Sequence, residues 1–352
     1  MLDNLKIISE IDKSNMISKV ESFPQQIKES KEIVNSSQLD SFFKIDNIII
    51  SGMGGSAISG DIIKSLLRDR LEIPIYVNRQ YDLPKWANKN TLLISQSYSG
   101  NTEETLSAFK HGHQKRCKII GISSGGKLQE FCEKRNISHI KIPPDFPPRA
   151  ATGYMLFSCL YAMKKIRIIK YDIDSEIDET ISVTEDFRNH NKKEKLEKDN
   201  FSKQFAKKLI STIPQVYGFD YLSPIAKRWC TQFNENSKVI ARAEVIPESN
   251  HNDIVGWSLN PEETKKFTCI LFRDAETESV YMSKRLDFMK KLYESVAANV
   301  FEINVKGKKR LSKMMYTMYM GDFISCYLAI LRNIDPTPVS IINQLKDELS
   351  KI

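Results

Sequence analysis

Two hydrophobic rhythms alternate along the chain. Short continuous apolar runs rich in β-branched residues, such as Asn47-Ile-Ile-Ile-Ser51, each end in a cluster of small residues. Segments with apolar positions three and four apart follow, as in Ser56 to Arg70, where Ala57, Ile58, Ile62, Ile63, Leu66 and Leu67 fall on one stripe. The first rhythm predicts buried strands and the second predicts amphipathic helices. In the first half, strands are expected at Asn47–Ser51, Ile73–Asn78, Asn90–Ser95, Lys118–Ile122 and Ile137–Ile142. Helices are expected from Ser56, at Glu103–His113, up to Lys134 and at Ala151–Lys165. Residues 1–44 read as helical.

The same alternation resumes after a highly charged stretch at 170–200. Strands are expected at Ile213–Phe219, Lys238–Val245, Phe267–Phe272 and Val300–Val305, with helices near Ser223–Asn236, from Met282 and at Met314–Asn333. Strand–helix alternation of this kind predicts a mostly parallel sheet covered on both faces. The chain therefore reads as α/β, with two doubly wound, mostly parallel sheets in tandem. The expected divisions are 1–155, a helical and charged connection at 156–200, and 201–352. A length of 352 residues suits two domains.

Charge changes the picture little. The formal net charge is +8, but the basic clusters Lys192–Lys198 and Lys306–Arg310 interleave no aromatic residues and match no nucleic-acid module. They read as solvated faces with a mild pull on anionic ligands. The six cysteines show no metal-ligand spacing and are expected to be free, in a reducing compartment. The N-terminus is polar and no long uninterrupted apolar run occurs, so no signal peptide, no membrane span and a cytoplasmic address are expected.

The chemistry concentrates in loops after strands, where open parallel sheets bind ligands. The loop Ser97-Tyr-Ser-Gly-Asn-Thr102 offers the hydroxyls of Ser97, Ser99 and Thr102 and a close-approach glycine, immediately before a helix whose N–H groups suit phosphate. A second small-residue loop, Ser123-Ser-Gly-Gly126, follows one unit later. A plain helix cap is the competing reading. The loop Gly52-Met-Gly-Gly55, with Ser56 and Ala57, also fits a relaxed dinucleotide fingerprint. With Arg79 after the next strand, it leaves an NADP-dependent oxidoreductase open. Neither loop is a P-loop.

The runs Ser51-Gly-Met-Gly-Gly-Ser-Ala57 and Ser95-Gln-Ser-Tyr-Ser-Gly-Asn-Thr-Glu-Glu-Thr105 resemble the sugar isomerase (SIS) domain. Pro147-Pro-Arg-Ala-Ala151, Asn234-Glu-Asn-Ser237 and Pro247-Glu-Ser-Asn-His-Asn-Asp-Ile254 narrow the likeness. With them, nearly the whole chain resembles the bifunctional phosphoglucose/phosphomannose isomerases, with two SIS domains in tandem. The resemblance implies an aldose–ketose isomerase acting on sugar 6-phosphates, with no cofactor and no metal. A non-catalytic sugar-phosphate-binding regulator is the alternative, although the chain lacks an evident DNA-binding module.

The resemblance also assigns roles. Glu235 is the base that moves a proton between C1 and C2. From sequence alone it is equally an exposed residue at a helix end. His251 opens the sugar ring and is contributed across a homodimer interface, whereas a lone loop histidine is ordinarily just solvated. Arg149, stiffened by two preceding prolines, steadies the enediolate. Otherwise it is a surface arginine at a boundary. Lys346 helps open the ring, and Thr337 makes room for mannose 6-phosphate. Gly54, Gly55, Ser56, Ser97, Ser99 and Thr102 hold the sugar phosphate. His111, His113, His139 and His190 match no motif and read as surface or structural.

Overall fold

A computed structural model describes residues 1–258, 261–349 and 351. The chain divides into two compact units. One comprises Ser22–Glu185 with Gly307–Lys313, and the other Met1–Glu21, Asp186–Lys306 and Met314–Ile352.

The first unit is built on β1 (Asn47–Ser51), β2 (Ile75–Asn78), β3 (Thr91–Gln96), β4 (Lys118–Ser123) and β5 (Ser138–Lys141). They form one sheet in the order β2-β1-β3-β4-β5. Every pairing is parallel. Ile48, Ile49 and Ile50 and Leu92, Leu93 and Ile94 are fully buried, as the continuous apolar runs require of strands covered on both faces. The sequence places the helices correctly, with Gly54–Leu66, Glu103–Gln114, Gly126–Glu133 and Thr152–Lys165 helical.

The second unit carries β6 (Ile213–Phe219), β7 (Arg242–Ile246), β8 (Phe267–Arg273) and β9 (Asn299–Asn304). The order is β7-β6-β8-β9, again all parallel. The two sheets therefore share one winding, in which the first strand lies between the second and the third. That arrangement reverses direction at the first and third strands, where ligands bind in open α/β sheets.

Two expectations shift. Strand β7 is shorter than the stretch from Lys238, because Phe233–Ser237 forms a π turn that ends in Lys238 with left-handed backbone, φ 53°. The N-terminal residues do not group with the first sheet. Met1–Glu21 belongs with the second unit, where the ammonium of Lys203, buried and also bonded to the carbonyls of Lys193 and Lys195, meets Asp3 at 3.2 Å. Lys193 further reaches Ser18 at 2.7 Å. Residues 37–44, read within a helical stretch, contain no helix. All six cysteines are free. Arg310–Leu331 is long and apolar enough to cross a membrane, but 94% of its apolar window is buried inside the protein, as in a core helix.

Candidate active site

In the first unit the switch point lies between β1 and β3, and four loops converge there. The loop after β1 enters the helix Gly54–Leu66 through Gly54, whose φ is +50°. A Cβ at Gly52 would lie 2.9 Å from the Gln96 carbonyl oxygen, and one at Gly55 would lie 3.1 Å from the Pro148 oxygen. These glycines let the loop press against the end of β3 on one side and the Pro148–Ala150 turn on the other. Ser56 is buried here, and Ser59 donates to the Gln96 side chain at 2.8 Å.

Strand β3 ends in the second loop. The hydroxyls of Ser97 and Thr102 lie 2.8 Å apart, and the Thr102 amide reaches Ser97 Oγ at 3.4 Å. Thr102 is the N-cap of Glu103–Gln114 and makes no side-chain capping bond, so capping alone does not account for its hydroxyl. Ser99 is exposed. Gly100 has φ +69° and abuts the next loop so closely that a Cβ would fall 1.8 Å from Gly125 O.

The third loop, Ser123 to Gly126, has a different job from the one its hydroxyls suggest in sequence. Ser124 donates to the Tyr98 carbonyl through its amide at 2.8 Å and its hydroxyl at 2.7 Å. Ser123 contacts Gly125 O and His139 Nε2, each at 2.8 Å. The loop braces the Ser97–Thr102 loop. His139 is structural, and burial holds its imidazole down to a pKa of about 4.

The fourth loop carries Arg149. Tyr98 donates its hydroxyl to Pro143 O at 3.0 Å and accepts from the Phe146 amide at 2.9 Å. The proline-rich segment is thereby tied to the Ser97–Thr102 loop. The side chain of Gln26 donates to Ala150 O at 2.8 Å, and Thr152 donates to Arg149 O at 3.0 Å. Arg149 is only 3% exposed, which contradicts a surface arginine. Gly54, Gly55, Ser56, Ser97, Thr102 and Arg149 thus share the same end of one sheet. Arg79, the residue that suggested a dinucleotide phosphate, is paired with Asp61.

The corresponding switch point of the second unit is carboxylate-rich. Asp274 follows β8, is buried, and accepts from the hydroxyls of Tyr221 and Thr277. Asp220 follows β6 with φ 43°. The hydroxyls of Tyr221 and Thr277 thus face an anionic side chain, whereas those of Ser97 and Thr102 in the first unit face each other.

The second unit holds the remaining candidates. Glu235 is half-buried in the π turn Phe233–Ser237, which continues the helix Ser223–Gln232. Extra-wide turns of this type commonly sit at functional sites. The turn is pinned by Asn236 to Ser325 Oγ at 2.9 Å and by Ser237 to Ser325 O at 2.6 Å. Below it, Arg228 contacts both carboxylate oxygens of Asp322 at 3.2 Å, and Gln232 adds a bond at 2.7 Å.

Lys238 brings a second segment to the same place. Its ammonium lies 2.9 Å from Glu235 O, 3.0 Å from Asp335 O and 2.9 Å from Pro336 O. Thr337, half-buried, follows directly, its amide held by Asp335 Oδ1 at 2.9 Å. Glu235 and Thr337 are therefore neighbours through Lys238.

His251 is exposed at the end of the short turn Glu248–His251. Lys346 lies on the helix Ser340–Leu349, which has no buried residue. Sequence reasoning missed Lys238 and Gln26. Lys238 directly follows the Asn234–Ser237 motif, the one local signal available. Among the described residues, no group of three or more His, Cys, Asp or Glu is placed to hold a metal.

Comparison with known proteins bears on the family and the fold. Residues 198–349 match the family model described as the bacterial phospho-glucose isomerase C-terminal SIS domain. A bifunctional phosphoglucose/phosphomannose isomerase of Caldicellulosiruptor bescii is 40% identical over 96% of this chain and 99% of its own length. One from Aquifex aeolicus is 33% identical over 86% of this chain and 90% of its own. A glucose-6-phosphate isomerase like protein from Thermus thermophilus shares the fold, with TM-score 0.65 and 16% identity, over 97% of this chain and 99% of that one. The shared windings, the hydroxyl loop at the first switch point and the full-length likeness lead to one assignment: this chain belongs to the bifunctional phosphoglucose/phosphomannose isomerase family.

Proposed function

We propose that this protein is an aldose–ketose isomerase that interconverts glucose 6-phosphate and mannose 6-phosphate with fructose 6-phosphate. The observation that carries the reading is the Ser97–Thr102 hydroxyl pair at the N-terminus of Glu103–Gln114. That helix end supplies N–H donors and a positive dipole for a phosphate dianion. Ser99, Ser56 and the Gly54–Gly55 backbone complete the sugar-phosphate contacts. The relatives that bear the name of this activity support the substrate class.

The chemistry divides among the candidates. Glu235 removes the proton from C2 of the open-chain aldose and returns it to C1, while the hydroxyl proton passes from O2 to O1. The product carries the ketone at C2. Arg149, with a fixed planar charge, steadies the anionic enediolate. Rotation about C2–C3 in that intermediate lets mannose 6-phosphate use the same path, and the small Thr337 side chain leaves room for it. His251 and Lys346 open the ring between them, one giving a proton to the ring oxygen on C5 and the other taking the proton of the anomeric hydroxyl on C1.

His251 and Lys346 are both exposed, which fits residues that complete their environment in a homodimer, with His251 serving the partner subunit. The C-terminal helix also presents Ile341, Ile342 and Leu345 to solvent, apolar area that a second copy would cover. The free cysteines suit the reducing cytoplasm.

The test is a coupled assay with each aldose phosphate, reading fructose 6-phosphate. Turnover of both is expected. If the folded protein turns over neither yet binds sugar phosphate, the regulator reading replaces this one.

A further inference from the structure

We propose that Lys238 is a positioning residue that ties the turn bearing the base to the loop bearing Thr337, and so sets the ratio of mannose 6-phosphate to glucose 6-phosphate turnover. The inference rests on the roles proposed for Glu235 and Thr337.

The ammonium of Lys238 faces four backbone carbonyls. Glu235 O lies at 2.9 Å, Asn236 O at 3.4 Å, Asp335 O at 3.0 Å and Pro336 O at 2.9 Å. Two belong to the turn of the base and two to the segment that enters Thr337. Charge-assisted bonds of this kind are stronger than neutral ones. A compact ammonium with three rotatable donors suits a ring of single acceptors, whereas the planar fork of arginine does not.

The backbone points the same way. Lys238 has φ 53° and ψ 42°, a left-handed conformation that is strained for a residue with a Cβ. Glycine would adopt it freely. A lysine there accepts the strain because the reversal folds its side chain back over its own preceding turn, towards Glu235 O. The receiving segment is stiff, since Pro336 and Pro338 flank Thr337 and fix its φ angles on either side. A stiff segment held at two carbonyls transmits a shift of the Glu235 turn directly to Thr337.

The base must lie close to C1 and C2, and Thr337 governs the space into which the intermediate rotates. Losing the tether therefore changes both the rate and the choice between epimers. A misplacement of about 1 Å is enough to lower turnover on the order of a hundredfold.

Lys238→Gly separates this role from a structural one, because it relieves the backbone strain while removing the ammonium. The expected result is a folded protein of unchanged or higher melting temperature. Its kcat falls about ten- to a hundredfold for both aldoses. The mannose-to-glucose turnover ratio shifts at least about threefold, with KM little changed, because the phosphate loop is untouched. Lys238→Met is the second variant and should shift the ratio in the same direction. In a Thr337→Ala background the Lys238→Gly ratio shift should disappear. An unchanged ratio in either lysine variant, or the same shift in the Thr337→Ala background, overturns the proposal. Glu235→Gln, measured in parallel, keeps the two readings apart, since activity retained there removes the base assignment itself.

Discussion

The Asp253 carboxylate accepts the Tyr217 hydroxyl at 2.8 Å, and this bond fastens the turns around His251 to strand β6. Trp257 Nε1 reaches the same oxygen at 3.1 Å, and Arg242 reaches the other at 3.2 Å. Tyr217 is fully buried and stacks on Tyr293 with centroids 5.3 Å apart. Burial drives its pKa far up, so the phenol stays a donor. Tyr217→Phe should destabilise the protein by about 1.5–3 kcal/mol, the worth of a hydrogen bond to a charged group. A urea unfolding midpoint identical to wild type would show that the bond contributes nothing.

The contact of Gly100 with Gly125 leads to a second prediction. A side chain at position 100 would need left-handed backbone and would strike a carbonyl, so the loop must move. Gly100→Ala should raise KM for fructose 6-phosphate about tenfold, equivalent to about 1.4 kcal/mol. Its KM and kcat should be compared with wild type. An unchanged KM would disconnect the Ser97–Thr102 loop from phosphate.

Beneath the Glu235 turn, Arg228 and Asp322 form a buried pair, each no more than 5% exposed. Removing one partner leaves the other charge buried, which costs about 3–5 kcal/mol. Asp322→Ala should lose about that much in chemical denaturation. Arg228→Met with Asp322→Leu should lose less than the single change. A milder single variant would contradict this account.

His139 predicts a pH dependence. Its folded pKa lies near 4 against an ordinary value of 6.5, because burial disfavours the imidazolium. The unfolded chain binds the extra proton first. The neutral ring's contribution to stability is therefore fully present above pH 6.5 and declines as pH falls towards 4. Wild type should lose more stability than His139→Asn between pH 7 and pH 5, measured by denaturant titration at each pH. Equal losses would exclude His139 as the cause.

The sheets were legible because their strands are continuous apolar runs that end in small residues, a pattern buried parallel strands impose. The hydroxyl loop and the turn at Arg149 were legible as motifs. Three features were not. Ser124 looks like Ser97 in sequence, yet its hydroxyl is consumed by Tyr98 O, and only the register of neighbouring loops decides that. The membership of Met1–Glu21 depends on long-range contacts such as Lys203 with Asp3. Lys238 looks like an ordinary surface lysine, because the carbonyls it joins to its own turn lie about a hundred residues away at Asp335 and Pro336, and carbonyls leave no trace in composition.

The most direct test of the central claim is steady-state isomerisation of fructose 6-phosphate by wild type and by Glu235→Gln, with folding of both checked by circular dichroism. The glutamine keeps the shape of the side chain but cannot take a proton. A general base is worth about a hundred- to ten-thousandfold. The account predicts a kcat lower by at least that first factor, with KM nearly unchanged because the phosphate is held elsewhere. A folded Glu235→Gln protein with wild-type kcat would contradict it.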